Sequence, residues 1–323
     1  MNLIKEHLPL LLMGPFPPKG NTVLQQSIAA TQHDFVRKPV IYIGMGSCGI
    51  IAGAEKTKIA IIDHLKSENI DAEIVDVGCI GLCSAEPVVD VQIPGRTRIS
   101  FSRVTEEKAI ELIDAITNNF LPDITILGQY PQASLSEWEE VPYIRKQGFF
   151  KAQNKILTQR TGRIAPENID EYITSGGYRA FAKAISANTS DEICDIVRLS
   201  GLNGRSGSAY LTGDKWKMAL EQTETPKYLI CNADESDPGA FVDRHLVEGD
   251  PHQIIEGIAI AAYAIQANRA IIYIRNQYQL GIKRLKKAIK QATEYHLLGE
   301  NILNSGFELY IDVKIGPGAH VCG

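Results

Sequence analysis

From Lys227 onward the chain alternates in a way that leaves few folds open. Lys227-Tyr228-Leu229-Ile230-Cys231 is a short apolar strand, and the Gly- and acid-rich segment Asn232 to Gly239 follows it directly. Asp250-Pro251 then starts a helix, with Pro at the first helical position, where the missing N–H has no partner to lose. Ile254, Ile255, Ile258, Ala261, Ala262 and Ile265 mark one apolar helix face. Ala270 to Ile274 is a strand, Leu280 to Ala292 a basic amphipathic helix, and Phe307 to Val313 another strand. This β-α-β-α-β order predicts a parallel sheet flanked by helices, because parallel neighbours need a crossover and the crossover packs back on the sheet.

A different pattern lies upstream. Val40-Ile41-Tyr42-Ile43 reads as a buried strand ending in Gly44, Gly46 and Gly49, and Ile59, Ile62 and Leu65 follow at helical spacing. Ala72 to Val77 is a second strand, and Pro87 to Ile93 with Thr97 to Arg103 forms a hairpin around Pro94-Gly95. Thr105 caps a helix whose first turn carries Glu106 and Glu107, and Ile110, Ile113 and Ile116 share one face of it. The order β-α-β then β-β-α fits a thioredoxin-like sandwich. The chain therefore divides into an extension at 1–38, a thioredoxin-like domain at 39–120, a helical connecting region at 121–195 and the α/β part at 196–323. The extension, rich in Pro and Gln, reads as poorly ordered or docked on a partner. Trp138, Tyr143 and Phe149-Phe150 suggest that the connecting region packs on a neighbouring domain, and 166–172 and 178–187 read as short helices.

The charge balance, 33 Lys+Arg against 38 Asp+Glu, argues against a nucleic-acid binder, which would carry clustered basic residues. The apolar run Leu8 to Met13 is far shorter than the roughly 20 residues a bilayer needs, and no small-x-small cleavage site follows it. A cytoplasmic protein without direct membrane insertion is expected. Six cysteines in 323 residues are too few for a disulfide scaffold, so their placement matters more than their number.

Three constellations could carry chemistry. In the loop Gly201 to Trp216, glycines permit close backbone approach, so N–H groups can converge on a phosphate, and Arg205 and Lys215 can add charge-assisted contacts. It is no P-loop, since no Gly-Lys-Ser/Thr closes it, and a plain surface loop stays open as a reading. Asn232-Ala233-Asp234-Glu235-Ser236-Asp237 sits where ligands of open α/β sheets bind, with an amide suited to a heterocycle edge and carboxylates suited to sugar hydroxyls. A solvated acidic turn, or a divalent-cation site built on Asp234, Glu235 and Asp237, fits the same residues. Finally, Cys48 with Cys79 and Cys83 offers three thiolates from loops at strand ends, where a [2Fe–2S] cluster needs four. Cys194 lies on a helix well downstream, and ordinary buried thiols remain the alternative. His245 and His252 read more simply as hydrogen-bonding residues than as catalytic ones.

These constellations, in this order, resemble the NADH-binding flavoprotein subunit of respiratory complex I and the flavin subunits of NAD(P)-linked hydrogenases and formate dehydrogenases. The resemblance covers most of the chain, including Gln147 to Leu157, Ile164 to Tyr178, the glycine loop and Lys227 to Tyr278. Its most specific stretches are Tyr228 to Gly239 and Asp250-Pro251-His252, and the fused thioredoxin-like domain is similar to the hydrogenase type. The resemblance implies a Rossmann-like FMN/NAD(H)-binding domain in which hydride passes between NAD(P)H and FMN and electrons leave through iron–sulfur clusters to partner subunits. It places Gly204, Ser206, Gly207 and Lys215 at the FMN phosphate side, and Asn232, Asp234 and Glu235 at the ribityl chain and ring. It places Tyr210 against the nicotinamide nucleotide and Asp237 near its ribose, and it makes Cys48, Cys79 and Cys83 ligands of a [2Fe–2S] cluster.

The chain departs from the family at Ser206, Ser208, Ala209 and Leu211, where the usual loop is Gly-Arg-Gly-Gly-Ala-Gly-Phe-Pro, and a Cβ at 206 is expected to obstruct close backbone approach. Met218 stands where an aromatic is common, and the first cluster cysteine is replaced around Ile43-Gly44. Family members continue beyond the equivalent of Gly323 into a domain for a [4Fe–4S] cluster, so the chain reads as a fragment. A degenerate, non-catalytic scaffold subunit that docks partners is the alternative function.

Overall fold

The computed structural model describes residues 2–205, 207–237 and 239–319. Among these, helices α1 (Leu3–Glu6), α2 (Leu8–Met13) and α3 (Thr22–Thr31) precede strand β1 (Val40–Gly44). Then come α4 (Ser47–Ile51), α5 (Ala54–Ser67), β2 (Glu73–Val77), β3 (Val89–Gln92), β4 (Ile99–Phe101), α6 (Glu106–Thr117) and β5 (Ile126–Gln129). They are followed by α7 (Gly148–Lys151), α8 (Ile169–Thr174), α9 (Arg179–Ala187), α10 (Ser190–Leu199) and α11 (Thr212–Leu220). The remaining elements are β6 (Tyr228–Ala233), α12 (Val242–Gly249), α13 (Pro251–Ile265), β7 (Arg269–Arg275), α14 (Gln279–Glu294) and β8 (Tyr310–Gly316). Contacts group the chain into two units, one of residues 26–168 with 248–250, the other of residues 1–25, 169–247 and 251–323.

The first unit is built on a sheet of order β2-β1-β3-β4-β5, in which β1 and β2 are parallel and the later pairs antiparallel. With α5 crossing from β1 to β2 and α6 after β4, this is the expected thioredoxin-like arrangement. β1 is buried throughout because alternate residues face two cores. Ile41 and Ile43 meet Val89, Val91, Ile99 and Phe101 under the apolar stripes of α5 (Ala54, Ile61, Leu65) and α6 (Ala109, Leu112, Ile113, Ile116). Val40 and Tyr42 meet Val75 and Val77 on the other side. Thr105 takes its predicted place before α6, but its side chain makes no capping bond. β5, inside the region expected to be a helical connection, instead joins this sheet at its edge beside β4. Trp138 belongs to the same core, its Nε1 donating to Thr97 O at 2.9 Å.

In the second unit β6, β7 and β8 form the predicted parallel sheet, paired from Tyr228↔Arg269↔Tyr310 onward. α13 and α14 connect its strands and pack on each other and on the sheet. The extension expected to be poorly ordered or docked on a partner is folded at residues 3–13: Ile4, Leu8, Leu11 and Leu12 are buried, and α2 packs on α8 and α9. Pairs of turns this short carry no readable periodicity, and their stability comes from tertiary contacts, including Arg179, whose guanidinium donates to Leu11 O and to Gly14 O. Between α8 and α9 the chain turns at Gly177, where a Cβ would fall 2.1 Å from the Tyr172 ring. The buried Glu256 of α13 closes that turn by accepting from Tyr172 Oη at 2.5 Å, Tyr178 N at 2.8 Å and Phe181 N at 3.2 Å.

Candidate functional site

At the carboxyl end of β6 the chain stops pairing and buries two carboxylates in succession. Asp234 Oδ2 accepts from Ala319 N at 3.2 Å, and Asp234 N donates to Asn232 Oδ1 at 3.1 Å. Asp234 Oδ1 is buried and has no hydrogen-bond partner among the described residues. A buried acceptor without a donor is costly unless a ligand supplies one. The site thus has an acceptor of the kind a flavin ribityl hydroxyl satisfies.

Glu235 behaves differently from the expectation that it holds the ribityl chain and ring. Its Oε1 accepts from Val242 N at 2.5 Å and Asp243 N at 3.0 Å, while Oε2 accepts from Arg244 N at 3.2 Å and Tyr278 Oη at 2.8 Å. The carboxylate therefore caps the first turn of α12 and complements its dipole. Burial, with Glu235 beside it, pushes the Tyr278 hydroxyl up to about 12 and raises Asp243 as well. Arg275, at the end of β7, donates to Glu235 O. Sequence reasoning missed Arg275 and Tyr278 as positioning residues; their signal was their place just after a parallel strand. Asp237 is exposed, with Oδ1 accepting from Gly239 N at 2.8 Å. Among the described residues Asp234, Glu235 and Asp237 do not bring their carboxylate oxygens together into one compact group.

The glycine loop folds back on itself. Gly204 N donates to Tyr210 O and Thr212 N to Leu202 O, both at 2.9 Å, and an antiparallel bridge joins Asn203 to Leu211. A Cβ added at Gly207 would meet nothing within 4 Å, so the backbone there is open to an approaching group. Lys215 lies exposed in the first turn of α11, and the half-exposed Tyr210 donates from Oη to Met218 Sδ at 3.2 Å. Ser206 and its expected obstruction fall outside the described residues. α11 and β6 both pack against α13, which gives the loop and the strand end one scaffold. His252 is a core residue: Nε2 donates to Gln291 Oε1 at 3.1 Å, leaving Nδ1 to accept from Tyr178 Oη at 2.9 Å.

In the other unit the three expected thiols do come together. The Sγ atoms of Cys48, Cys79 and Cys83 all lie within 4.8 Å of one another, with Cys79 and Cys83 at 3.9 Å. Cys194 does not join them; it is buried in α10, its thiol facing Ala264 O at 3.6 Å. Cys48 is presented by α4, whose first residue Ser47 donates from N and Oγ to Glu248 at 2.9 and 2.5 Å. α4 can approach β1 this closely because residue 49 is glycine: a Cβ there would stand 2.0 Å from Gly44 O. Hydrogen bonds from the Cys79 thiol, then that of Cys83, pull Cys48 down in pKa against the cost of burial. Cys79 moves up because it donates to Cys48 and is buried, and Cys83 moves up chiefly through burial. Burial, reinforced by Cys48, pushes the neighbouring Glu86 up to about 8. The trio furnishes three of the four thiolates of an all-cysteine [2Fe–2S] set. At the fourth position Ile43 is fully buried in the apolar core.

β6, β7 and β8 with α13 and α14 define an α/β domain on a parallel sheet. Residues 197–323 match the Nuo51 FMN-binding domain family. The chain is a homologue of the NADP-reducing hydrogenase subunit HndC of Solidesulfovibrio fructosivorans, at 52% identity over 173 residues, covering 54% of this chain and 35% of that protein. It is likewise a homologue of one of the NADH-quinone oxidoreductase subunits of Aquifex aeolicus (strain VF5), at 49% identity over 168 residues, covering 52% of this chain and 39% of that protein. The matched stretch thus spans little more than a third of those relatives. Among solved structures, a crystal structure of NAD+-reducing [NiFe]-hydrogenase in the H2-reduced state is similar at 22% identity and a TM-score of 0.42, covering 97% of this chain and 52% of that one.

Proposed function

We propose that the chain is the flavin-binding part of an NAD(P)H-linked oxidoreductase, an FMN-dependent dehydrogenase-type subunit. The observation that carries this reading is the buried Asp234 Oδ1 at the carboxyl end of β6, without a hydrogen-bond partner among the described residues and inside the stretch that matches an FMN-binding family. When bound, FMN supplies the ring that exchanges hydride with NAD(P)H. Asp234 and Asn232 accept from and donate to the ribityl side, and Gly204, Gly207 and Lys215 face the phosphate across the open loop. Glu235 acts one step back: by filling its own oxygens with α12 it fixes the backbone that aims Asp234. Tyr210 and Asp237, both exposed, are left to the nicotinamide nucleotide. The hydrogenase and quinone-reductase relatives are by name subunits of larger enzymes. Partner subunits are needed here too, since a hydride acceptor must pass its electrons on. No helix among the described residues is long and apolar enough to cross a membrane.

The test is the absorption spectrum of the anaerobically purified chain after adding FMN and removing the excess. A retained flavin band that bleaches with NADH or NADPH supports the reading, and Asp234→Ala is expected to lose that band. A band retained but indifferent to both nucleotides would favour the scaffold alternative. Flavin content unchanged in Asp234→Ala would remove the strand end from the site.

A further inference from the structure

We infer that Cys48, Cys79, Cys83 and Glu86 together form a four-donor site, three thiolates and one carboxylate, for a single divalent metal ion of the zinc class. The inference is independent of the flavin reading, since all four residues belong to the unit of residues 26–168.

The spacing points to one ion. A tetrahedral ion with metal–sulfur bonds of about 2.3 Å holds two thiolates about 3.8 Å apart, and a thiolate and a carboxylate oxygen about 3.5 Å apart. Cys79 and Cys83 stand at 3.9 Å, and Cys48 Sγ stands 3.8 Å from Glu86 Oε1. Cys48 is at the same time within 4.8 Å of both other thiols, so the three thiols form one compact set, and Glu86 Oε1 adjoins it at Cys48. A two-iron cluster gives each iron its own pair of ligands and holds the pairs apart with bridging sulfides; this set is not divided in that way.

Glu86 is the fourth donor for three reasons. The strand position that would bring a further thiolate carries Ile43, which is buried and apolar. Glu86 is itself buried, at 7% exposure, and among the described residues no cation lies at ion-pair distance, so a metal ion is the positive partner that would hold it as a carboxylate. Its two oxygens are also differentiated. Oε2 accepts from Val88 N at 2.8 Å, which turns Oε1 toward Cys48. Gly44 and Gly49 make room for this carboxylate, since a Cβ on either would come within 2.9 or 3.2 Å of Oε2. The surrounding groups orient the donors as outer-shell partners do: Gly81 N donates to Cys79 Sγ at 3.2 Å, and Glu248 anchors the turn that presents Cys48. Binding displaces the thiol protons to solvent, with no change in oxidation state.

The experiment uses the full chain purified under anaerobic, reducing conditions. Metal content and acid-labile sulfide are measured, and the metal is then exchanged for Co2+ alone. Expected are one zinc-class ion per chain, no labile sulfide, and a Co2+ spectrum with thiolate charge-transfer bands and the intense ligand-field bands of four-coordination. Glu86→Gln should weaken Zn2+ in a chelator competition at least about tenfold, and Cys79→Ser should do so more strongly. In a Trp216→Phe background Trp138 emission reports in each variant whether the unit is still folded, and the Co2+ spectrum of the unsubstituted chain needs no variant at all. Two irons with two sulfides per chain, a chain that takes up no Zn2+, or a Zn2+ affinity indifferent to Glu86→Gln would each overturn the inference.

Discussion

Asp90 and Arg98 form a buried ion pair in the sheet of the first unit, and cutting it in half has a predictable cost. Asp90 Oδ2 accepts from Arg98 Nε at 2.7 Å and lies 2.6 Å from Nη2, with the two residues 2% and 9% exposed. The guanidinium stacks 3.6 Å from the Tyr42 ring and donates to Gly162 O at 2.7 Å and Arg163 O at 3.0 Å. Asp90→Ala leaves that cation buried with carbonyl partners only. Loss of one member of a buried pair costs about 3–5 kcal/mol. Because Asp90 Oδ1 is already without a partner and the two carbonyls remain, the lower end applies, about 3 kcal/mol. With a urea slope of about 2 kcal/mol/M this lowers the unfolding midpoint by about 1.5 M. The chain has 2 tryptophans, Trp138 in this unit and Trp216 in the other, so a Trp216→Phe background leaves Trp138 emission as a probe of this unit alone. Asp90→Val with Arg98→Met should recover more than half of the loss, since the uncompensated charge is gone. A midpoint shift under about 0.3 M, or a double variant as weak as the single one, would refute the reasoning.

Three further outcomes follow from the second unit. Burial lowers His252 to about 4, so the neutral form is the folded one; stability is full above its ordinary pKa of about 6.5 and falls as pH drops toward 4, by roughly 3 kcal/mol in all. Urea titrations followed at Trp216 in a Trp138→Phe background should show this slope, and His252→Gln should flatten it. Gly177→Ala places a methyl 2.1 Å from the Tyr172 ring and should cost about 1–3 kcal/mol by thermal unfolding; an unchanged midpoint would mean that the ring moves freely. Gly207→Ala, with nothing within 4 Å of the new Cβ, should leave unfolding unchanged and lower FMN retention, and equal retention would take the loop away from the phosphate.

Where the sequence carried regular periodicity it was legible. The strands from Val40 to Phe101, the stripes of α5 and α6, and the β6-α13-β7-α14-β8 succession all follow from apolar spacing and end signals. β5 was not, because Ile126–Gln129 is a four-residue run in a stretch of turn residues, and only pairing with β4 makes it a strand. α1 and α2 hid for a related reason, since turns of four and six residues are stabilised by what they pack on. Asp250 stands directly before α13, and its carboxylate also accepts from Arg160 Nε at 2.7 Å, a partner 90 residues away that its place before a helix does not announce. At the sites, residue types announced themselves but their division of labour did not. Asp234 and Glu235 are adjacent and chemically alike, yet one has an oxygen without a partner among the described residues and the other fills both with α12 and Tyr278. Cys48, Cys79 and Cys83 were recognisable as a set, whereas Glu86 reads in sequence as part of the turn before Pro87, and only the fold brings its oxygen 3.8 Å from a thiol.

The packing of α2 has a consequence for the order in which the protein can be made. Leu8, Leu11 and Leu12 are covered by α8 and α9, and Arg179 holds the carbonyls at the helix end. At about 5–20 residues per second, the ribosome needs on the order of ten to thirty seconds to travel from this helix to its partners. Throughout that interval an apolar segment has left the tunnel with nothing of its own to cover it, while residues 26–168, contiguous apart from 248–250, can already be assembling their sheet. A chaperone that binds short leucine-rich stretches therefore has its window here, between the synthesis of α2 and that of α8 and α9.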